Sequence, residues 1–143
     1  KALEAMKTAV LKKDFESFAK IAMRDSSNMH AVMLDTVPPI TYLNDVSKEI
    51  MYCVNGEINK NGIIAGYTFD AGPNAHVYTL QQNAAKVRAS LEKIRGVQKI
   101  IECCVGNGPK YLNDEKEHLI DSSTGEVRKH GFDEKTNKFT VEP

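Results

Sequence analysis

The order of hydrophobic periods along this chain of 143 residues predicts an α+β fold, a small antiparallel sheet covered on one face by helices. Three observations carry that expectation. Apolar residues recur at helical spacing through the first half, the period drops to two at "IIAGYTF", and the compact turn "AGPN" joins that run to a second strand-like run, "AHVYTL".

The chain opens without methionine on "KALEAMKTAVLKKD", where Leu3, Met6 and Val10 are already at helical spacing. A chain that starts inside a helix is expected to be the remainder of a longer one. Asp14 is the expected N-cap of a second helix, "FESFAKIAMRDSSNMHAVMLD", whose apolar stripe is Phe18, Ala22, Met29 and Met33. That helix is expected to run past Ser26 and Ser27 to Asp35. Pro38 and Pro39 then forbid helix, because proline lacks the N–H donor and disfavours helical backbone in its predecessor. Thr41 is the expected cap of a third helix with Leu43, Val46, Ile50 and Val54 on one face, stopped by Gly56.

After the turn "NGEINKNG", Ile63, Ala65, Tyr67 and Phe69 fall on one face of a strand, and Ile64, Gly66, Thr68 and Asp70 on the other. "AGPN" closes a hairpin to "AHVYTL". A fourth helix carries Ala84, Val87, Leu91 and Ile94 and ends at Gly96 as a left-handed cap. "VQKIIECCV", residues 97–105, alternates as a third strand, and "GNGPK" follows as a glycine turn. Residues 1–112 are expected to form the domain. Residues 113–143 form a charged tail with scattered apolar residues and no strong period, to which no role is assigned.

Composition excludes several function classes. Hydrophobic residues make up 41% of the chain, enough for a single core. The 19 basic and 19 acidic residues are interspersed and cancel, so no basic face offers itself to nucleic acid. No apolar run approaches the roughly 20 residues needed to span a bilayer. A cytoplasmic protein without membrane or nucleic-acid partners is expected. The 3 cysteines, Cys53 and the adjacent Cys103 and Cys104, are read as packed thiols in a reducing compartment. His30, His76, His118 and His130 have no spacing that makes a zinc site, so no metal ligand is assigned.

Asp70 is the residue that stands apart. On the residues alone two readings stay open: an Asx-type cap of the Gly72-Pro73 turn, or a carboxylate aimed at a ligand by a stiff loop. "YTFDAGPNA", together with "MRDSSNMHAVMLDTVPPITYLND" and the later "VGNGPKYL", resembles the C-terminal half of the diphosphomevalonate decarboxylase family, in the GHMP small-molecule kinase superfamily.

The resemblance runs in order from residue 14 to about residue 112. It implies the ferredoxin-like C-terminal domain of GHMP kinases, and an enzyme that phosphorylates the 3-hydroxyl of mevalonate 5-diphosphate and releases phosphate, CO₂ and isopentenyl diphosphate. It also implies that Asp70 is the catalytic residue, with Ala71 and Gly72 as walls against the substrate. The implied cofactors are ATP and Mg²⁺, bound mainly by an N-terminal domain that these residues do not match. The implied partners are mevalonate 5-diphosphate, that N-terminal domain and a second copy in a homodimer. Arg24, Asp25, Asn28, His30 and Asp35 lie in the other matching motif, with structural and cleft-lining roles both open. An α+β regulatory or oligomerisation module is the competing class, and a cysteine-dependent enzyme a third.

Overall fold

The computed structural model describes residues 2–106, 108–109, 111–133 and 138–141. Of the expected glycine turn "GNGPK", Asn107 and Lys110 lie outside the described residues. The chain divides into two compact units, Lys1–Glu102 and Cys103–Pro143.

In the first unit, helix α1 (Ala2–Leu11) leads to α2 (Phe15–Leu34), whose N-cap Asp14 accepts from the Ser17 N–H at 3.1 Å. The Ser17 side chain, and after it that N–H, favours the ionised carboxyl and holds Asp14 below its ordinary carboxylate value. The stripe read on α1 is mostly exposed, with Leu3 at 65% and Val10 at 58%, because α1 packs on α2 through Ala9 instead. On α2 the buried line is Ala19, Ala22, Ser26 and His30, adjacent to the stripe drawn through Phe18 and Met29. Two polar side chains therefore face inward.

Helix α3 (Asp45–Tyr52) starts three residues later than Thr41 implies. Asn44 is the cap, because it and Ser47 form a reciprocal capping box: the Ser47 N–H donates to Asn44 Oδ1 at 2.9 Å, and the Asn44 N–H donates to Ser47 Oγ at 3.3 Å. Gly56 does not stop the helix, which continues as a π-helical segment over Cys53–Ile58. Burial of Val54 and Ile58 outweighs the glycine, and the turn falls at Asn59–Gly62. Helix α4 (Ala84–Leu91) ends before Gly96, which has φ +103° as a left-handed residue should.

Strands β1 (Ala65–Phe69) and β2 (Ala75–Thr79) pair antiparallel from Ala65↔Thr79 to Phe69↔Ala75. Ala65, Tyr67 and Phe69 join Ile50, Val54, Ile58, Val87 and Leu91 in one core, so the alternating face read from the sequence is the buried one. On the other face Gly66 meets α2, and a Cβ there would come within 2.8 Å of the Ala19 Cβ.

The third strand expected over residues 97–105 does not form, and Ile101 and Val105 are 69% and 100% exposed. Alternation makes a strand only where an edge is free to pair. The edge of β1 away from β2 is taken at both ends by side chains. Asn59 Oδ1 accepts from the Ala65 N–H at 3.0 Å while Asn59 Nδ2 donates to the Ala65 carbonyl at 2.9 Å, and Ser26 and His30 occupy the Phe69 end.

In the second unit, β3 (His130–Asp133) pairs antiparallel with β4 (Lys138–Val141). Ahead of them, Asp121 folds a turn by accepting from the Ser123 hydroxyl, from the Ser123 and Thr124 N–H groups and from Arg128, contacts led by the hydroxyl that hold its carboxyl far below the ordinary value.

Candidate active site

Asp70 is the first residue past β1, where the chain leaves the core residue Phe69 for the turn at residues 70–74. Its side chain is 79% exposed and its Oδ2 lies 3.7 Å from Nδ1 of His76, which sits opposite Thr68 on β2. The turn is tied down on both sides. The Gly72 N–H donates to the Asp70 carbonyl at 2.8 Å, and Ser47 Oγ reaches the Pro73 carbonyl at 2.9 Å. One hydroxyl proton cannot serve both the Pro73 carbonyl and Asn44 Oδ1, 3.0 Å away, at the same moment. Either way, the first turn of α3 lies against the glycine-proline loop.

The strand end that carries Asp70 is held more firmly still. The Phe69 N–H donates to Ser26 Oγ at 2.9 Å, and the Phe69 carbonyl accepts from Ser26 Oγ at 3.1 Å and from His30 Nε2 at 3.2 Å. A carbonyl only accepts, so His30 carries its proton on Nε2 in this contact. Both side chains are buried at 8% exposure, and the His30 ring packs edge-on against Tyr42 and Phe69.

Of the motif "MRDSSNMHAVMLD", then, His30 is buried against β1, whereas Arg24, Asp25 and Asn28 lie exposed. Asp35 caps the C-terminus of α2 with its N–H on the Ala31 carbonyl at 3.1 Å. Ser26 and Ser47 carry no signal as single residues. The spacing of Ala19, Ala22, Ser26 and His30 is the pattern that marks Ser26 and His30 as one inward face.

Ala71 is exposed and Gly72 half-buried, and the position a Cβ would take on Gly72 meets nothing within 4 Å. A surface depression of about 620 Å³ lies elsewhere, lined by Tyr52, Cys53, Glu57, Ser90 and Lys93 among others, and includes no residue of the turn. Burial raises the Cys53 thiol above its ordinary value, with Glu57 adding to the shift. That is the reverse of what activates a nucleophilic cysteine. Among the described residues no group of three His, Cys, Asp or Glu converges as a metal site. The chemistry open to this arrangement is that of an exposed carboxylate on a stiff loop: to accept a hydrogen bond from a hydroxyl, orient it, and take its proton.

A family model described as the mevalonate 5-diphosphate decarboxylase C-terminal domain matches residues 1–97. The diphosphomevalonate decarboxylase of Candida albicans is 44% identical over 128 residues, covering 78% of this chain and 35% of that protein. A solved structure concerned with mevalonate diphosphate mediated ATP binding in the mevalonate diphosphate decarboxylase from Enterococcus faecalis aligns at a TM-score of 0.62 with 28% identity, over 67% of this chain and 30% of that one. A complex described as MDDEF with MVAPP, AMPPCP and magnesium aligns at 0.61 with 29% identity, over 66% and 29% of the two chains. The chain spans little more than a third of the length of the diphosphomevalonate decarboxylases of Candida albicans and Schizosaccharomyces pombe. By its sequence and its α+β fold, the chain belongs to the mevalonate 5-diphosphate decarboxylase C-terminal domain family.

Proposed function

We propose that this chain supplies the catalytic carboxylate of an ATP-dependent decarboxylase that converts mevalonate 5-diphosphate to isopentenyl diphosphate, phosphate and CO₂. The observation that carries the reading is Asp70, an exposed carboxylate at the end of a core strand whose last peptide is held by α2 and whose following turn is held by α3. Such a group is poorly explained as a turn cap alone: the hydrogen bond that closes the turn is the Gly72 N–H to the backbone carbonyl of residue 70, which any residue there supplies.

The 3-hydroxyl of the substrate is tertiary and hindered. Asp70 orients it and takes its proton as phosphate is transferred to the oxygen, a role that depends on position before basicity. The open space at Gly72, beside the exposed Ala71, leaves the backbone free to approach the substrate. ATP and Mg²⁺ enter as the cofactors of the whole enzyme, in line with the ATP analogue and magnesium bound by the solved relative. Following the family resemblance, their binding is assigned mainly to an N-terminal domain that these residues do not match. Homodimerisation rests on the family resemblance and a cytoplasmic location on the composition, and no helix among the described residues is long and apolar enough to cross a membrane.

The test is the whole enzyme carrying Asp70→Asn, assayed for phosphate and CO₂ release from mevalonate 5-diphosphate and ATP. We expect an unchanged melting profile and kcat lower by at least about 100-fold. Activity within about tenfold of wild type would leave Asp70 as a turn residue.

A further inference from the structure

We propose that Ser26 and His30 are positioning residues for the Asp70 carboxylate, acting through the backbone of Phe69; the proposal rests on the catalytic reading of Asp70. Phe69 and Asp70 share one rigid peptide plane, so whatever fixes the Phe69 carbonyl also fixes the Asp70 N–H and narrows the directions open to its Cα–Cβ bond. Three hydrogen bonds converge there: Phe69 N–H to Ser26 Oγ at 2.9 Å, Ser26 Oγ to the Phe69 carbonyl at 3.1 Å, and His30 Nε2 to the same carbonyl at 3.2 Å.

The arrangement stands in for a neighbouring strand. Phe69 directs its backbone groups away from β2, and Ser26 both accepts and donates as a β-partner would. One bond to that carbonyl would satisfy a buried acceptor, yet this one receives two, the second from an imidazole gripped between Tyr42 and Phe69. A second donor restrains the direction of the carbonyl as well as filling its need for a partner. The far side of the turn is fixed independently by Ser47 on the Pro73 carbonyl. The loop is held at both ends, and the carboxylate between them stays 79% exposed for a ligand to reach.

The experiment is a set of whole-enzyme variants, His30→Leu, His30→Gln and Ser26→Ala, each in the Asp70 and the Asp70→Asn backgrounds, with kcat and KM for mevalonate 5-diphosphate read separately and residual rates taken by single turnover. His30→Leu is expected to lower kcat roughly tenfold with KM within about twofold, as a small misplacement of a catalytic group does. His30→Gln retains an N–H donor of similar reach and should recover kcat to within about threefold of wild type. In the Asp70→Asn background His30→Leu should lower kcat by less than about twofold, because the side chain it positions no longer acts.

Ser26→Ala removes two of the three bonds with little change in volume and is the variant to rely on should His30→Leu fail to fold. It should lower kcat at least as far, and speed amide exchange at Phe69 roughly tenfold without similar change at Gly66. A tenfold loss from His30→Leu or Ser26→Ala that persists undiminished in Asp70→Asn, or a kcat unaltered by both, overturns the positioning role while the reading of Asp70 stands. An Asp70→Asn enzyme close to wild type overturns the catalytic reading first, and the positioning role with it.

Discussion

Phe69 links the interior of this domain to its candidate chemistry. Its ring is 1% exposed in the core, its backbone is bonded to α2, and the next residue is Asp70. Phe69→Ala is therefore expected to cost about 3–5 kcal/mol in urea unfolding, the range for a buried aromatic. It should also reduce activity at temperatures where the variant remains folded, whereas a purely hydrophobic role predicts lost stability alone.

The cysteines separate in the same residue-by-residue way. Cys53 is half-buried with its thiol raised by desolvation, while Cys103 and Cys104 are exposed. In native protein near pH 8, iodoacetamide should modify Cys103 and Cys104 and leave Cys53 mostly unlabelled until the fold is denatured, since a raised pKa leaves less thiolate to react. Mass spectrometry of timed samples reads this directly, and early labelling at Cys53 contradicts the assigned shift.

At the scale of elements, two glycines and one cap determine how helices meet the hairpin. Gly66 lets α2 lie against β1, since an added Cβ would sit 2.8 Å from the Ala19 Cβ and 3.0 Å from its Cα. Gly66→Ala should destabilise the domain by about 1–3 kcal/mol, the usual cost of overpacking, and Ala19→Gly in the same chain should return part of it. Gly96 combines φ +103° with a Cβ position 2.7 Å from Val46 Cγ2, so the chain leaving α4 passes Val46 of α3 only as a glycine.

The Asn44–Ser47 capping box starts α3 and places Ser47 under the glycine-proline turn. Asn44→Ala should cost about 1 kcal/mol by thermal or urea unfolding. The π-helical run after α3 shows why Gly56 misleads: the energy that continues it comes from burying Val54 and Ile58, which local propensity does not register.

At the scale of the whole molecule, the chain spans little more than a third of the Candida albicans and Schizosaccharomyces pombe relatives, and among the described residues no group of three His, Cys, Asp or Glu could hold a metal ion. Isothermal titration of this chain alone with ATP and Mg²⁺ should show no micromolar site, and the appearance of one would place nucleotide contacts here after all. What the sequence determined by itself was local. Helical and strand periods predicted α2, α3, α4 and the β1–β2 hairpin, the buried face of Ala65, Tyr67 and Phe69 followed from a period of two, and "YTFDAGPNA" pointed to Asp70.

What only the tertiary structure decided depended on distant partners. Residues 97–105 alternate yet form no strand, because the β1 edge is taken at each end by Asn59, Ser26 and His30. Ser26 and His30 show as one face of α2, but their purpose appears only when Phe69, 43 and 39 residues away along the chain, meets them. Periodicity says which face of a helix turns inward. Which backbone that face will grip depends on contacts between remote segments, and these form only as the core closes.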